Sequence, residues 1–205
     1  MSPSSRTDPL PQQAENQDTR SVRQRIVDAA LELAQTIGVQ AMSQARVATA
    51  AGVRQSHLTY YFPTRVDLIK ATVHAISDQM LEATNATLLI NGQGSDPVAE
   101  LRNFSVQEVC NIPHARLFLS MMVAAEEEPS LREWLYDFEQ ESIDQWLGVY
   151  RMAGLDISRD DIELFHATYV GATLLCAQTG TEVAIQRAAR LAGLAFDRLV
   201  NKAQG

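Results

Sequence analysis

Apolar residues recur at three- and four-residue spacing along most of the chain, and glycine or proline interrupts this pattern repeatedly. The spacing places apolar side chains on one face of each of a series of α-helices. No stretch shows the strict alternation of apolar and polar residues that is typical of a half-buried strand. The sequence therefore predicts an all-α fold of nine helices and no sheet.

The predicted helices begin and end at recognisable capping residues. Gly38 is expected to end the first helix, and Ser43 is expected to cap the second. Pro63 should stop the third helix, after which Thr64 and Asp67 form a capping-box-like start for a fourth helix of roughly 40 Å. The predicted helices cover residues 20–37, 43–50, 55–61, 64–90, 97–111, 114–127, 130–153, 159–179 and 182–202.

Charge is unevenly distributed along the chain. Residues 20–70 hold seven basic and three acidic residues, a net charge of +4, whereas residues 76–205 hold nine basic and 19 acidic residues, a net charge of −10. The overall charge of −8 argues against a uniformly basic nucleic-acid-binding protein. A basic head on an acidic body nevertheless suits a protein that meets DNA at one end only.

Several classes of protein are excluded by composition. The apolar and charged fractions of 46% and 20% are those of a globular protein, and no apolar stretch is long enough to span a membrane. Residues 1–19 are rich in Ser, Pro and Gln without an apolar core, so we expect a disordered arm rather than a secretory signal. Cys110 and Cys176 lack zinc-ligand spacing and are expected to be buried thiols in a reducing cytoplasm, although a bridge between them stays open.

The segment 20–62 has the plan of a helix-turn-helix unit, with two short helices joined by the Ala51-Gly52-Val53 turn over residues 43–62. In this plan the second short helix enters the major groove of DNA. Leu58 and Phe62 are expected to be buried, which leaves the polar residues of this helix facing outward. Arg and Gln pair with guanine and adenine edges, Ser and Thr bond either, and Tyr donates to phosphates. The outward residues are Arg54, Gln55, Ser56, His57, Thr59 and Tyr60.

The stretch from Arg23 to Ile69 resembles the amino-terminal DNA-binding domain of TetR/AcrR-type transcriptional regulators. The resemblance rests on many ordered matches, namely Ile26, Ala29, Ala30, Gly38, Ser43, Val47, Ala48, Ala51, Gly52, Val53, Leu58, Tyr60, Phe62, Pro63, Arg65 and Leu68. It implies a DNA-binding domain over residues 20–75 and phosphate contacts at five further residues. These are Ser43, Gln44, Tyr61, Thr64 and Arg65.

The same resemblance implies a ligand-binding and dimerisation domain over residues 76–205. The last two helices would pair with their copies in a homodimer, and small residues such as Gly171, Ala188 and Ala192 would permit close packing. An unidentified small-molecule effector would bind in the body and shift the spacing of the two heads, with the long fourth helix as the lever. The candidate pocket residues are Phe104, His114, Phe118, Met121, Met122, Trp134, Phe138, Trp146, Tyr150, Phe165, His166 and Tyr169.

The sequence thus predicts a cytoplasmic, ligand-responsive repressor that binds a pseudo-palindromic DNA duplex and carries no cofactor, metal or catalytic residue. Two alternatives stay open. One is an all-helical enzyme or metal protein, since Glu163 and His166 have the Glu-x-x-His spacing of di-iron bundles, but only one such pair occurs. The other is a binding module without DNA affinity, suggested by Thr59 where the family usually has Tyr.

Overall fold

The computed structural model describes residues 11–91 and 96–204, which form nine α-helices and a short 3₁₀ turn and contain no strand. The helices are α1 (Pro11–Ile37), α2 (Gln44–Ala50), α3 (Gln55–Tyr61), α4 (Arg65–Asn91), α5 (Pro97–Val109), α6 (Ile112–Glu127), α7 (Pro129–Met152), α8 (Arg159–Thr179) and α9 (Glu182–Gln204). The 3₁₀ turn, Val39–Ala41, lies between α1 and α2. The predicted all-α fold is confirmed.

The caps of the short helices are formed as the sequence predicts. The Ser43 side chain accepts a hydrogen bond from the backbone N–H of Arg46 at the start of α2. Thr64 and Asp67 bond reciprocally at the start of α4: the Thr64 N–H donates to the Asp67 carboxylate at 2.9 Å, and the Asp67 N–H donates to the Thr64 hydroxyl at 3.1 Å. These local bonds satisfy backbone donors that a helix start leaves without partners.

Some helix ends differ from the prediction. α1 begins at Pro11, so residues 11–19 are helical rather than part of a disordered arm, and residues 1–10 lie outside the described residues. α5 ends at Val109 and α6 already begins at Ile112, because the Asn111 side chain accepts from the backbone N–H of His114 and caps α6. A cap at Asn111 requires the chain to leave helical geometry before that residue.

The apolar core of the head continues into the body. Ile26, Val47 and Leu58 from α1, α2 and α3 share one buried cluster with Met121 of α6 and Leu131 of α7. The domain boundary expected between residues 75 and 76 lies inside α4, and this cluster extends across it. The head therefore packs directly against the part of α6 around Met121 and the part of α7 around Leu131.

Two further clusters form the rest of the body. One joins the far end of α7 to α5, α8 and α9 around Tyr150 and Phe196. The other joins Val109 to α8 and α9 through small residues, among them Cys176 and Ala188. Both cysteines are free thiols. No helix within the described ranges is long and apolar enough to cross a membrane.

Candidate nucleic-acid interface and effector site

The turn between α2 and α3 depends on a glycine. Gly52 has a φ of 64°, in the left-handed region that a side chain disfavours, and its N–H donates to the carbonyl of Thr49. The N–H of Val53 then donates to the carbonyl of Ala48 at 3.0 Å. This closed turn sets the angle between the two short helices, as the helix-turn-helix plan requires.

α3 packs on the head through its apolar face. Leu58 is fully buried and Phe62 is 3% exposed, and the guanidinium of Arg23 lies over the Phe62 ring at 5.4 Å. The opposite face is polar and exposed at Arg54, Gln55, Ser56 and His57, while Tyr60 is 78% exposed. An exposed aromatic ring beside amide, hydroxyl and imidazole groups suits base edges and phosphates.

Several side chains around this exposed face already form hydrogen bonds or ring contacts within the head. The Thr59 hydroxyl donates to the carbonyl of Gln55 at 3.1 Å, inside α3. The rings of Tyr60 and Tyr61 meet edge to face at 5.1 Å, and Tyr61 is half-buried. The Thr64 and Ser43 hydroxyls serve as the helix caps described above. Tyr60 is therefore the most accessible of the tyrosines in the predicted interface.

Gln44 and Arg65 bond to backbone carbonyls within the head. The Gln44 side chain donates to the carbonyl of Phe62 at 2.7 Å. The guanidinium of Arg65 donates to the carbonyls of Val39 at 3.0 Å and Met42 at 3.1 Å. Both side chains therefore have hydrogen-bond partners within the head, and no sequence pattern predicts these bonds because backbone carbonyls have no residue signature.

The structure also brings one basic residue to the edge of this face that the sequence analysis did not single out. Arg46 is exposed in the first turn of α2, and its guanidinium donates to the carbonyl of Ala41 at 3.0 Å. Its position one turn after the helix-capping Ser43 places a positive charge beside the exposed start of α2. A basic residue in the first turn of the first short helix is the signal that predicts it.

The twelve predicted pocket residues are spread over different parts of the body. Met121 and Tyr150 are buried in separate clusters, and Met122 is exposed, so the role of these residues in lining one pocket stays a prediction. Trp134 and Phe138 stack at 5.0 Å near the head, and Phe118 packs against the same cluster. Periodicity places such residues inward but does not distinguish a filled core from a pocket.

Other predicted pocket residues lie outside the cluster that contacts the head. Phe104 and Trp146 have ring centroids 5.7 Å apart, and Phe165 contacts Tyr169 at 6.2 Å. A cavity of about 20 Å³ beside Phe104 is lined by Thr84, Leu88, Glu100, Leu101 and Phe104. This volume holds about one water molecule and is too small for an effector.

Two imidazole–carboxylate pairs also lie in this region. His114 Nδ1 is 2.8 Å from Glu108 Oε2, and His166 Nδ1 is 3.3 Å from Glu139 Oε1. Burial lowers the pKa of His166, and the nearby Glu139 carboxylate opposes this shift. Glu163 pairs instead with Arg159, so the predicted Glu-x-x-His spacing does not bring its two side chains to one partner.

Among the described residues, one buried side-chain atom of the body has no hydrogen-bond partner. Asn85 Oδ1, on α4, is buried and accepts no hydrogen bond among the described residues. Such a group normally finds a donor, so Asn85 marks a position where a donor from a ligand would be favourable. Among residues 11–91 and 96–204, no group of three or more His, Cys, Asp or Glu side chains has an arrangement that would hold a metal ion.

Comparison with known proteins connects this geometry to a family. Residues 26–72 match the family model described as bacterial regulatory proteins, tetR family, and this range includes α2 and α3. The HTH-type transcriptional regulator CymR of Pseudomonas putida is 29% identical over 167 residues, which is 80% of this chain and 77% of CymR.

Solved structures share the fold over most of the chain. A transcriptional regulator from Rhodococcus sp. Rha1 aligns with a TM-score of 0.66 at 19% identity, covering 89% of this chain and 97% of that one. The multidrug binding protein EbrR, solved with ethidium, aligns with a TM-score of 0.63 at 22% identity, covering 85% and 97%. In its helix-turn-helix head the chain is thus similar to bacterial regulatory proteins of the tetR family, and in its all-helical fold it is similar to transcriptional regulators over most of its length.

Proposed function

We propose that this protein is a ligand-responsive repressor that binds a pseudo-palindromic DNA duplex as a homodimer. The observation that carries the proposal is the exposed polar face of α3, on which Gln55, Ser56 and Tyr60 project from a helix anchored by Leu58 and Phe62. Two copies would place their α3 helices in successive major grooves, about 34–36 Å apart or a multiple of that distance.

Base contacts are assigned to the start of α3, and phosphate contacts to its surroundings. Arg54, Gln55, Ser56 and His57 are exposed there, and Gln55 is suited to the two hydrogen-bonding groups of an adenine edge. Tyr60 and Arg46 are the exposed candidates for phosphate. Ser43, Tyr61 and Thr64 keep the phosphate role that the family resemblance implies, and Thr59 keeps its predicted place beside the bases. For Gln44 and Arg65 we propose instead that they hold the head together.

A groove on the outer face of α6, α8 and α9 supports dimerisation through the last two helices. Its volume is about 670 Å³, and its lining is predominantly apolar: Leu119, Thr168, Gly171, Ala172, Leu174, Leu175, Gln178 and Leu191. Leu164 of α8 and Leu194 of α9 are also exposed. A second copy would bury these apolar side chains and would complete a four-helix bundle.

The effector is proposed to bind inside the body, between α4, α5, α7 and α8. Phe104 and Trp146 supply aromatic surface there, and Asn85 supplies an acceptor without a donor. EbrR, which shares the fold, was solved with ethidium, so this architecture accommodates a planar aromatic compound in that protein. Because the described cavity beside Phe104 holds about one water molecule, the effector must open the body, and this movement is how it would act on DNA binding. Binding to the chromosome would place the protein in the cytoplasm.

Selection of duplexes from random DNA by the purified protein tests this function. We expect a pseudo-palindromic consensus, two protomers per duplex, and an affinity that falls steeply with salt because phosphate contacts release counterions. The absence of any enriched duplex, together with salt-independent binding at low ionic strength, would contradict the proposal.

A further inference from the structure

α6 of the body is bonded to the turn between α1 and α2, which we call the α1–α2 turn (residues 38–42). The backbone N–H of Val39 donates to Ser120 Oγ at 3.2 Å, although the two residues are 81 positions apart. The Ser120 hydroxyl donates its own hydrogen to the carbonyl of Leu117 at 2.8 Å, so its lone pairs face the turn. A Cβ placed on Gly38 would lie 3.5 Å from Ser120 Cβ, so any side chain at this position of the turn would contact α6.

The other side of the same turn is bonded to the start of α4. Val39 is buried, and its carbonyl accepts from Arg65 at 3.0 Å while its N–H is taken by Ser120. Arg65 also donates to the carbonyl of Met42, the last residue of the turn. The peptide groups of the α1–α2 turn are thus held between a body helix and the first residue of the long helix α4.

The α1–α2 turn leads directly into the DNA-binding unit. Ser43 caps α2 immediately after the turn, and Gln44, the first residue of α2, donates to the carbonyl of Phe62 at the end of α3. A displacement of the turn therefore moves the start of α2 and, through Gln44, the end of α3. The displacement thus passes from the turn to α3 over a few residues and does not require α4 to bend.

α6 is positioned to receive a signal from the body. Its first turn is capped by Asn111, whose amide lies 3.0 Å from His114 Nδ1, and this imidazole pairs with Glu108 of α5. Ser120 lies two turns farther along α6, where it meets the head. One helix of 16 residues, about 24 Å long, thereby connects the polar junction in the body to the head.

Resting on the proposed function, we infer that Ser120 is a positioning residue for DNA recognition. Its hydroxyl fixes the α1–α2 turn on α6, and the turn in turn sets the direction in which α3 is presented to DNA. In a dimer that binds two half-sites, the head position on each body decides which half-site spacing fits. Movement of α6 on effector binding then reaches α3 through Ser120, in addition to the path along α4.

The test compares Ser120→Ala with Ser142→Ala and Ser120→Thr. Ser142 is a half-buried serine of α7 whose hydroxyl donates within its own helix, to the carbonyl of Phe138, so its variant loses an intrahelical bond like the Ser120–Leu117 bond but no bond to the α1–α2 turn. Ser120→Thr keeps the hydroxyl. Dissociation constants are measured by fluorescence anisotropy on the duplex that the wild type selects and on the same duplex with one base pair removed between its half-sites. Amide hydrogen exchange is measured on the free proteins.

For Ser120→Ala we expect a threefold to tenfold loss of affinity for the selected duplex, equivalent to the loss of one neutral hydrogen bond. The ratio of the affinities for the selected and the shortened duplex should fall by the same factor. Amide exchange across residues 39–62 should become faster by a similar factor. Ser142→Ala and Ser120→Thr should match the wild type in both measurements. A loss of folded protein alone lowers affinity for both duplexes equally and leaves their ratio unchanged.

The inference is overturned if Ser120→Ala keeps the wild-type preference between the two duplexes, or if Ser142→Ala reduces it as much. In either case a wild type that selects a duplex still supports the proposed function. A wild type that selects no duplex overturns the proposed function, and the positioning role of Ser120 with it.

Discussion

The side-chain amide of Gln44 donates to the backbone carbonyl of Phe62 at 2.7 Å, and this bond joins the first residue of α2 to the residue that ends α3. Phe62 is itself buried, so the bond holds the end of α3 at the point where the chain leaves the core of the head. The helix-turn-helix unit is thus closed at both ends, by the Gly52 turn at one and by Gln44 at the other.

Replacing Gln44 by Ala should lower the free energy of unfolding by about 1 kcal/mol, because the Phe62 carbonyl loses a donor within the head. Urea denaturation followed by circular dichroism measures this change. Gln107→Ala, at an exposed glutamine on α5, is the matched control and should change stability by less than about 0.5 kcal/mol. Equal stability of the two variants would show that the Gln44 bond contributes nothing to the head.

Replacing Arg65 by Gln should lower stability by about 1.5–3 kcal/mol, because the turn carbonyls lose a charged donor. The salt dependence of DNA binding should stay as in the wild type. Arg46→Gln, at the exposed start of α2, should reduce the slope of log affinity against log salt by about one and leave stability nearly unchanged. If Arg65→Gln instead lowers the slope of log affinity against log salt and keeps normal stability, Arg65 contacts phosphate.

Replacing Leu194 by Glu should weaken the proposed dimer at least about tenfold, since a carboxylate would be buried in an apolar interface. Analytical ultracentrifugation across a range of protein concentrations measures the dissociation constant. Met152→Glu provides the control, because Met152 is an exposed apolar residue at the end of α7 and does not line the proposed interface groove. If Leu194→Glu dimerises as tightly as the control, the dimer uses another surface.

Stability should fall more steeply in mild acid for the wild type than for His166→Asn. Burial lowers the pKa of His166 in the folded protein, with Glu139 opposing, so the unfolded chain takes up the proton first. The contribution of His166 to the free energy of unfolding is fully present above its pKa in the unfolded chain, which is about 6.5. It is lost as the pH falls toward the lower pKa of His166 in the folded protein. Thermal unfolding at pH 7 and pH 5 checks the difference, and identical losses for the two proteins would contradict it.

The parts of the fold that depend on neighbouring residues were predictable from the sequence. The Ser43 cap, the Thr64–Asp67 pair and the bounds of α3 follow from interactions within four residues. The confirmed all-α fold follows from the period of the apolar pattern. Only the start of α1 at Pro11 departs strongly, because the Pro- and Gln-rich composition before Arg20 indicates disorder and not a helix.

The contacts that connect the head to the body were not predictable in this way. Ser120 and Arg65 bond to backbone atoms of residues 81 and 26 positions away, and no sequence pattern marks such a partner. The candidate pocket shows the same limit. Trp134 and Trp146 both lie on α7, yet they pack against different apolar clusters, because which helices pack around α7 changes along its length.

The central claim, that α3 recognises DNA sequence through its exposed first turn, is tested most directly at Gln55. Binding of the wild type and of Gln55→Ala is measured by fluorescence anisotropy on the selected duplex and on variants with each base pair of one half-site exchanged. The account predicts that Gln55→Ala loses discrimination at one position by a factor of about 5 to 150, equivalent to 1–3 kcal/mol, with the salt dependence unchanged because glutamine is neutral. An unchanged preference at every position would show that the first turn of α3 does not contact the bases.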